Sequence, residues 1–199
     1  VDDYWDSVYS SEPDPYIGNW AEHSHGECTA DYMKTNQSGY GNIDGGTRFY
    51  NYPDGMPYSG PGAQDDDGGY GLRLFFESRG YAVDSHFNQY VDEQTSGSGF
   101  TYEMFQQEID AGRPVLIHTK NTSGQGHTML AFGYNTSGSL VYIHDTWDHA
   151  DHQMSWNGTY SGYGLFIYAV TVMQLADNTL LFADGFESHD TSGWSSHSP

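Results

Sequence analysis

One cysteine, Cys28, stands alone among 199 residues, so no disulfide can form within the chain and cysteine usage says nothing about redox compartment. Basic residues are almost as scarce. Six Lys+Arg face 27 Asp+Glu, a formal charge of −21 at pH 7. A phosphate backbone requires a basic surface, so nucleic acid is excluded as a partner, and an anionic membrane surface would repel the chain as well. No apolar run approaches the roughly 20 residues of a membrane span. The opening "VDDYWDSVYS" has neither the basic nor the apolar region of a signal peptide. The acidity itself fits three settings: adaptation to salt, cation binding, or a basic partner.

Aromatic side chains are plentiful at 16% of residues, with 17 tyrosines and 25 glycines. That composition predicts aromatic-walled packing with many tight turns and excludes disorder. The length suits one domain with its own core. We expect it to span 1–176 behind an irregular aromatic and proline-bearing start, with 177–199 a polar tail. A surface with only two lysines and abundant Asp, Gly, Ser and Tyr is the composition expected of a secreted protein.

The hydrophobic pattern changes along the chain. "CTADYMKTNQ" predicts a short helix opening at Cys28, ended by "SGYGN". Residues 38–69 are turn-rich, a lid or a surface wrap. "YGLRLFFESRG" has Leu72, Phe75, Phe76 and Arg79 at helical spacing before Gly80, and "YAV" opens a short strand. "GFTYEMFQQEIDAGRP" predicts a helix capped by Thr101, with Phe105 and Ile109 on one face and Gly112 and Pro114 at its end. "PVLIHTK", "HTMLAFGY", "LVYIHDTW" and "LFIYAVTVMQL" read as strands, with "NTSGS" a hairpin turn between the second and third. Helices and loops first, antiparallel sheet second, make an α+β fold.

Candidate chemistry centres on the cysteine. A lone cysteine is commonly a small buried hydrophobe, but Cys28 follows a polar turn at a helix start, where backbone N–H groups favour a thiolate. A thiolate needs a base. His127 opens a strand after "GQG", which sets an imidazole at a sheet end. Asp145 ends the next strand, and antiparallel pairing across the hairpin brings it near His127, where a carboxylate can hold the second ring nitrogen.

Rival readings exist. "IHDTWDHADHQ" crowds His144, Asp145, Asp148, His149, Asp151 and His152 into nine positions and could hold zinc, but His144 and Asp145 face opposite ways on a strand, and we assign no metal site. "QDDDGG" and "NIDGG" could take Ca²⁺, although Asp-Gly runs are ordinarily turns. No G-x-S-x-G occurs, which disfavours a serine hydrolase. A non-catalytic module that binds peptides or glycans through its aromatic residues is the competing class.

The segments "CTADYM", "FFESRGY", "EIDAGRPVLIH", "GHTMLAFGY" and "IHDTWD", in this order, resemble the papain-like cysteine peptidases. They are most similar to a bacterial secreted subgroup of the bacteriocin-leader-peptidase-like branch, the double-glycine leader type. The resemblance covers roughly residues 20–175. It implies a helical lobe carrying Cys28 and an antiparallel sheet lobe carrying His127 and Asp145, with Trp147 shielding the third residue. It further implies a monomer that cleaves a peptide or protein substrate through a thioester, with no cofactor; amidase or transglutaminase-like acyl transfer would use the same three residues. Such enzymes carry a Gln about six residues before the cysteine as oxyanion donor, and Glu22 stands there. An ionised Glu would repel an oxyanion, so either Glu22 is protonated, or His23 or His25 donates, or the correspondence slips by a residue or more.

Overall fold

The computed structural model describes residues 28–35, 37–42, 45–56 and 66–176. The leading segment, Glu22, His23, His25, part of the 38–69 region and the tail fall outside them. Among the described residues three α-helices, α1 (Thr29–Met33), α2 (Gly68–Ser78) and α3 (Tyr102–Asp110), accompany six strands. The strands are β1 (Val83–Tyr90), β2 (Val115–Lys120), β3 (Gly126–Asn135), β4 (Leu140–His144), β5 (His152–Ser155) and β6 (Phe166–Leu175). They form one antiparallel sheet in the order β1-β6-β2-β3-β4-β5. The fold is α+β.

The two faces of the sheet carry different chemistry. One face buries Val115, Ile117, Met129, Ala131, Val141 and Ile143 against Phe105 of α3. Phe105 is completely buried and stacks on Trp156 with ring centroids 5.4 Å apart. Local signals place α3 as expected: the Thr101 hydroxyl accepts from the Met104 N–H at 3.1 Å, and Gly112 ends it at φ 75°. The other face meets α2, on which α1 packs.

Between α2 and the sheet runs a polar chain. Asp67 caps α2 by accepting from the Tyr70 N–H, and also accepts from the Tyr50 N–H and from Asn88 Nδ2 at 2.7 Å. Thr171 donates to Asn88 Oδ1, and so accepts from His118 Nε2; His118 Nδ1 in turn accepts from Thr128. Every hydroxyl and ring proton therefore has a defined direction, which is what allows a buried polar chain to be tolerated. Burial alone pushes the His118 imidazole down to about 3.

Several sequence expectations need correction. The strand expected to open at "YAV" is there but is not short: β1 has eight residues and pairs with β6 along its length. Its inward α2-side positions, His86 and Asn88, are polar, so no apolar alternation marked how far it runs. Strand β5 was not anticipated, being four residues inside a His/Asp-rich stretch. The helix at Cys28 was expected to reach Gln37 but stops at Met33, because Lys34 takes φ 58° and closes the last turn. Residues 45–56 form a wrap rather than a lid: Tyr52 bridges to Gln89, Gln89 Nε2 donates to the Pro53 carbonyl, and Phe49 lies 4.1 Å from the His118 ring.

Candidate active site

Cys28 is half-buried and caps α1. Its N–H donates to the carboxylate of Asp31, 3.1 Å away and largely buried. This qualifies the helix-end argument made from sequence. The helix has five residues, and a formal negative charge already occupies its first turn, where it opposes a thiolate electrostatically. A thiolate here would depend on a cationic partner, which an imidazolium can be.

His127 is the second residue of β3, paired with Thr119, whose hydroxyl donates to the His127 carbonyl at 2.7 Å. Its ring Nε2 lies 2.6 Å from the backbone carbonyl of Asp145 and 3.3 Å from the Thr146 hydroxyl. A carbonyl only accepts, so Nε2 carries the proton, and the neutral ring keeps a lone pair on Nδ1. Trp147 stacks on the imidazole, centroids 4.8 Å apart and planes at 22°.

Asp145 is next to His127 as expected, but through its main chain. Its carboxylate, 2% exposed as a residue, points elsewhere: Oδ1 accepts from the Trp147 N–H at 2.9 Å, and Oδ2 from the Tyr160 hydroxyl at 2.6 Å. Sequence reasoning missed Tyr160. It sits in the turn-rich "NGTYSGYG" with no periodicity to mark it.

The structure brings His127, Asp145 and Trp147 into direct contact. A cavity of about 1060 Å³ lies between α1, α2 and the sheet, and its wall includes Thr29 and Thr128, the successors of Cys28 and His127. Leu72, Phe76, Leu116 and Met173 make it largely apolar. Strand alternation gives Thr128 to this face and His127 to the face of Met129.

Three of the six metal candidates converge: ligand atoms of Asp145, Asp148 and His152 lie within 4.8 Å of one another. Hydrogen bonds account for the arrangement, since His152 Nε2 is 2.8 Å from Asp148 Oδ1 and Asp145 is held by Tyr160. His144 turns away as predicted, stacking on Phe132 and facing Asp151 at 3.7 Å. In the acidic stretch of the calcium reading, Asp67 is spent on capping α2 and Asp66 lies 4.0 Å from Arg48.

A cysteine at a helix start beside a six-stranded antiparallel sheet, with a tautomer-fixed histidine at a strand end, supplies the parts of a thiol hydrolase. The model of the Peptidase_C39 like family matches residues 14–168, and the chain belongs to that family. Membership supports a cysteine peptidase in general. No curated protein and no solved structure gives a match.

Proposed function

We propose that the protein is a papain-like cysteine peptidase acting through Cys28, His127 and Asp145. The observation that carries this reading is the 2.6 Å contact from His127 Nε2 to the Asp145 carbonyl, which leaves Nδ1 as the basic atom. His127 Nδ1 takes the thiol proton, and Sγ attacks the carbonyl carbon of the scissile amide. The imidazolium returns the proton to the leaving amine as the C–N bond breaks, leaving a thioester. Nδ1 then deprotonates a water, which attacks the thioester and restores the thiol. One imidazole supplies both acid and base roles, so no cofactor is required. Trp147 covers the Asp145–His127 contact from one side. Glu22, or His23 or His25, remains the proposed neighbour of the oxyanion. The composition supports a secreted protein, and the resemblance described above implies a bacterial monomer with a peptide or protein substrate.

The test is the rate of Cys28 alkylation by iodoacetamide from pH 4 to 10, in the wild type and in His127→Ala. A fast reaction persisting below pH 7 and lost in the variant supports a Cys–His pair. A rate rising only near pH 8.5 in both proteins would overturn the reading.

One observation favours a second reading. Trp147, Tyr160 and Tyr163 form an aromatic cluster beside His127, with Tyr163 55% exposed. A non-catalytic module could stack a peptide or glycan there. Any hydrolysis abolished by a thiol reagent decides for the enzyme.

A further inference from the structure

We propose that Tyr160 is a positioning residue for His127: its hydroxyl clamps the Asp145 carboxylate so that a strained turn presents the Asp145 carbonyl to the imidazole. This rests on the reading of His127 as general base. The turn is unusual in its backbone. Thr146, a β-branched residue, takes φ 67°, in the left-handed region that such side chains disfavour. Strain of this kind persists where the surroundings over-determine it, and it concentrates at functional sites.

Both oxygens of the Asp145 carboxylate serve as anchors. Oδ1 reaches forward to the Trp147 N–H, closing the turn over Thr146, and Oδ2 reaches the Tyr160 hydroxyl. Tyr160 is itself fixed. Its backbone pairs with Leu165 in both directions, and its ring lies 5.9 Å from Trp147, planes at 23°. His127, Trp147 and Tyr160 thus form one stack, and the same tyrosine holds the turn from below through its hydroxyl. His152 Nε2, 3.7 Å from Asp145 Oδ2, is the nearest charged alternative for that oxygen.

Without the tyrosine hydroxyl, a carboxylate buried to 2% exposure would lose its partner on Oδ2. It would then either take a proton or rotate toward another donor, of which the His127 Nε2–H and the His152 ring are closest to hand. Rotation toward either donor withdraws Oδ1 from the Trp147 N–H and releases the turn, and the imidazole loses its single tautomer. The role is therefore to hold a proton at Nε2 of another residue, not to touch substrate.

The experiment is ¹⁵N NMR of the His127 ring in the wild type and Tyr160→Phe, with the iodoacetamide profile of Cys28 recorded on the same samples and on His127→Ala. The wild type is expected to show one neutral tautomer, protonated at Nε2. Tyr160→Phe is expected to show mixed tautomers and to lose about tenfold or more in alkylation rate below pH 7, by analogy with the loss when an outer partner is taken from a metal-bound imidazole. Asp145→Asn, which keeps an acceptor for Trp147 and a partner for Tyr160, is expected to retain the single tautomer. Unchanged tautomer and profile in Tyr160→Phe would overturn the proposal, as would loss of the tautomer in Asp145→Asn. If His127→Ala abolishes the low-pH reaction in either case, the peptidase reading survives without the clamp. If His127→Ala changes nothing, that reading fails while the tautomer result still judges the clamp.

Discussion

His127 Nε2 meets the main-chain carbonyl of Asp145 at 2.6 Å while the carboxylate of the same residue accepts from Tyr160 at 2.6 Å. The imidazole is thus held by a neutral dipole. The carboxylate charge acts one residue-width away.

A first consequence concerns Asp145→Asn. Where a carboxylate holds the imidazole directly, the amide substitution costs about 10⁴ in kcat in a serine protease. Here we expect kcat/KM on a peptide substrate to fall by less than about tenfold, because the carbonyl that orients His127 is untouched. A loss near 10⁴ would show that the carboxylate reaches the ring during turnover.

His118 provides an acid-limb test. It is buried and neutral, held down to about 3, whereas in the unfolded chain it titrates near 6.5. The folded pKa is the lower one, so its contribution is fully present above pH 6.5 and is lost as pH falls toward 3. A single such proton gives a slope of about 1.4 kcal/mol per pH unit in that window. Urea unfolding of His118→Gln from pH 7 to 4 should show a shallower slope than the wild type; equal slopes would place the proton elsewhere.

His152 has the opposite sign. Its hydrogen bond to Asp148 raises its pKa, opposed by partial burial and helped by Asp145. The raised folded value means the contribution is present below about pH 6.5 and is lost as pH climbs through the folded pKa. The melting-temperature gap between wild type and His152→Ala should shrink from pH 6 to 8. A gap that is flat or widens over that range counts against the pair.

Gly71 sets the distance between the two helices of the Cys28 lobe. A Cβ there would overlap the backbone carbonyl of Tyr32, which has no flexible end to move. Gly71→Ala should therefore push α1 off α2 and cost about 1–3 kcal/mol. Thermal denaturation measures the loss, and Cys28 alkylation in the same variant should lose its low-pH limb and rise only near pH 8.5. Wild-type stability would mean that α1 is loosely attached.

Six basic residues cannot neutralise 27 acidic ones, so self-repulsion acts against the folded chain. Melting temperature should rise from low to molar NaCl as the Debye length falls from about 10 Å to 3 Å. A flat response would reject adaptation of the chain to salt.

Much of this arrangement was legible. Local chemistry marks α3 at both ends, through Thr101 and Gly112, and the β3–β4 hairpin through a polar turn between apolar runs. His127 and Asp145 were paired by counting across that hairpin. What sequence could not supply are contacts whose partners are distant and polar. The length of strand β1 hid because His86 and Asn88 face inward to a hydrogen-bonded layer. Tyr160 hid because its relation to Asp145 depends on how an irregular turn folds back over Trp147. That the carbonyl, not the carboxylate, would face His127 goes with a left-handed backbone at Thr146 that no local sequence signal marks.

The strand order carries a consequence for biosynthesis. Strand β6 lies between β1 and β2, yet it is the last of the six to leave the ribosome. Until Phe166–Leu175 emerges, β1 has no partner on its β6 side, and the cavity wall formed by Thr171, Met173 and Leu175 does not exist. Contacts spanning 83 to 175 close late, and loop-closure entropy makes them slow. A nascent chain therefore cannot set the α1–α2 layer against a completed sheet until residue 175 has emerged.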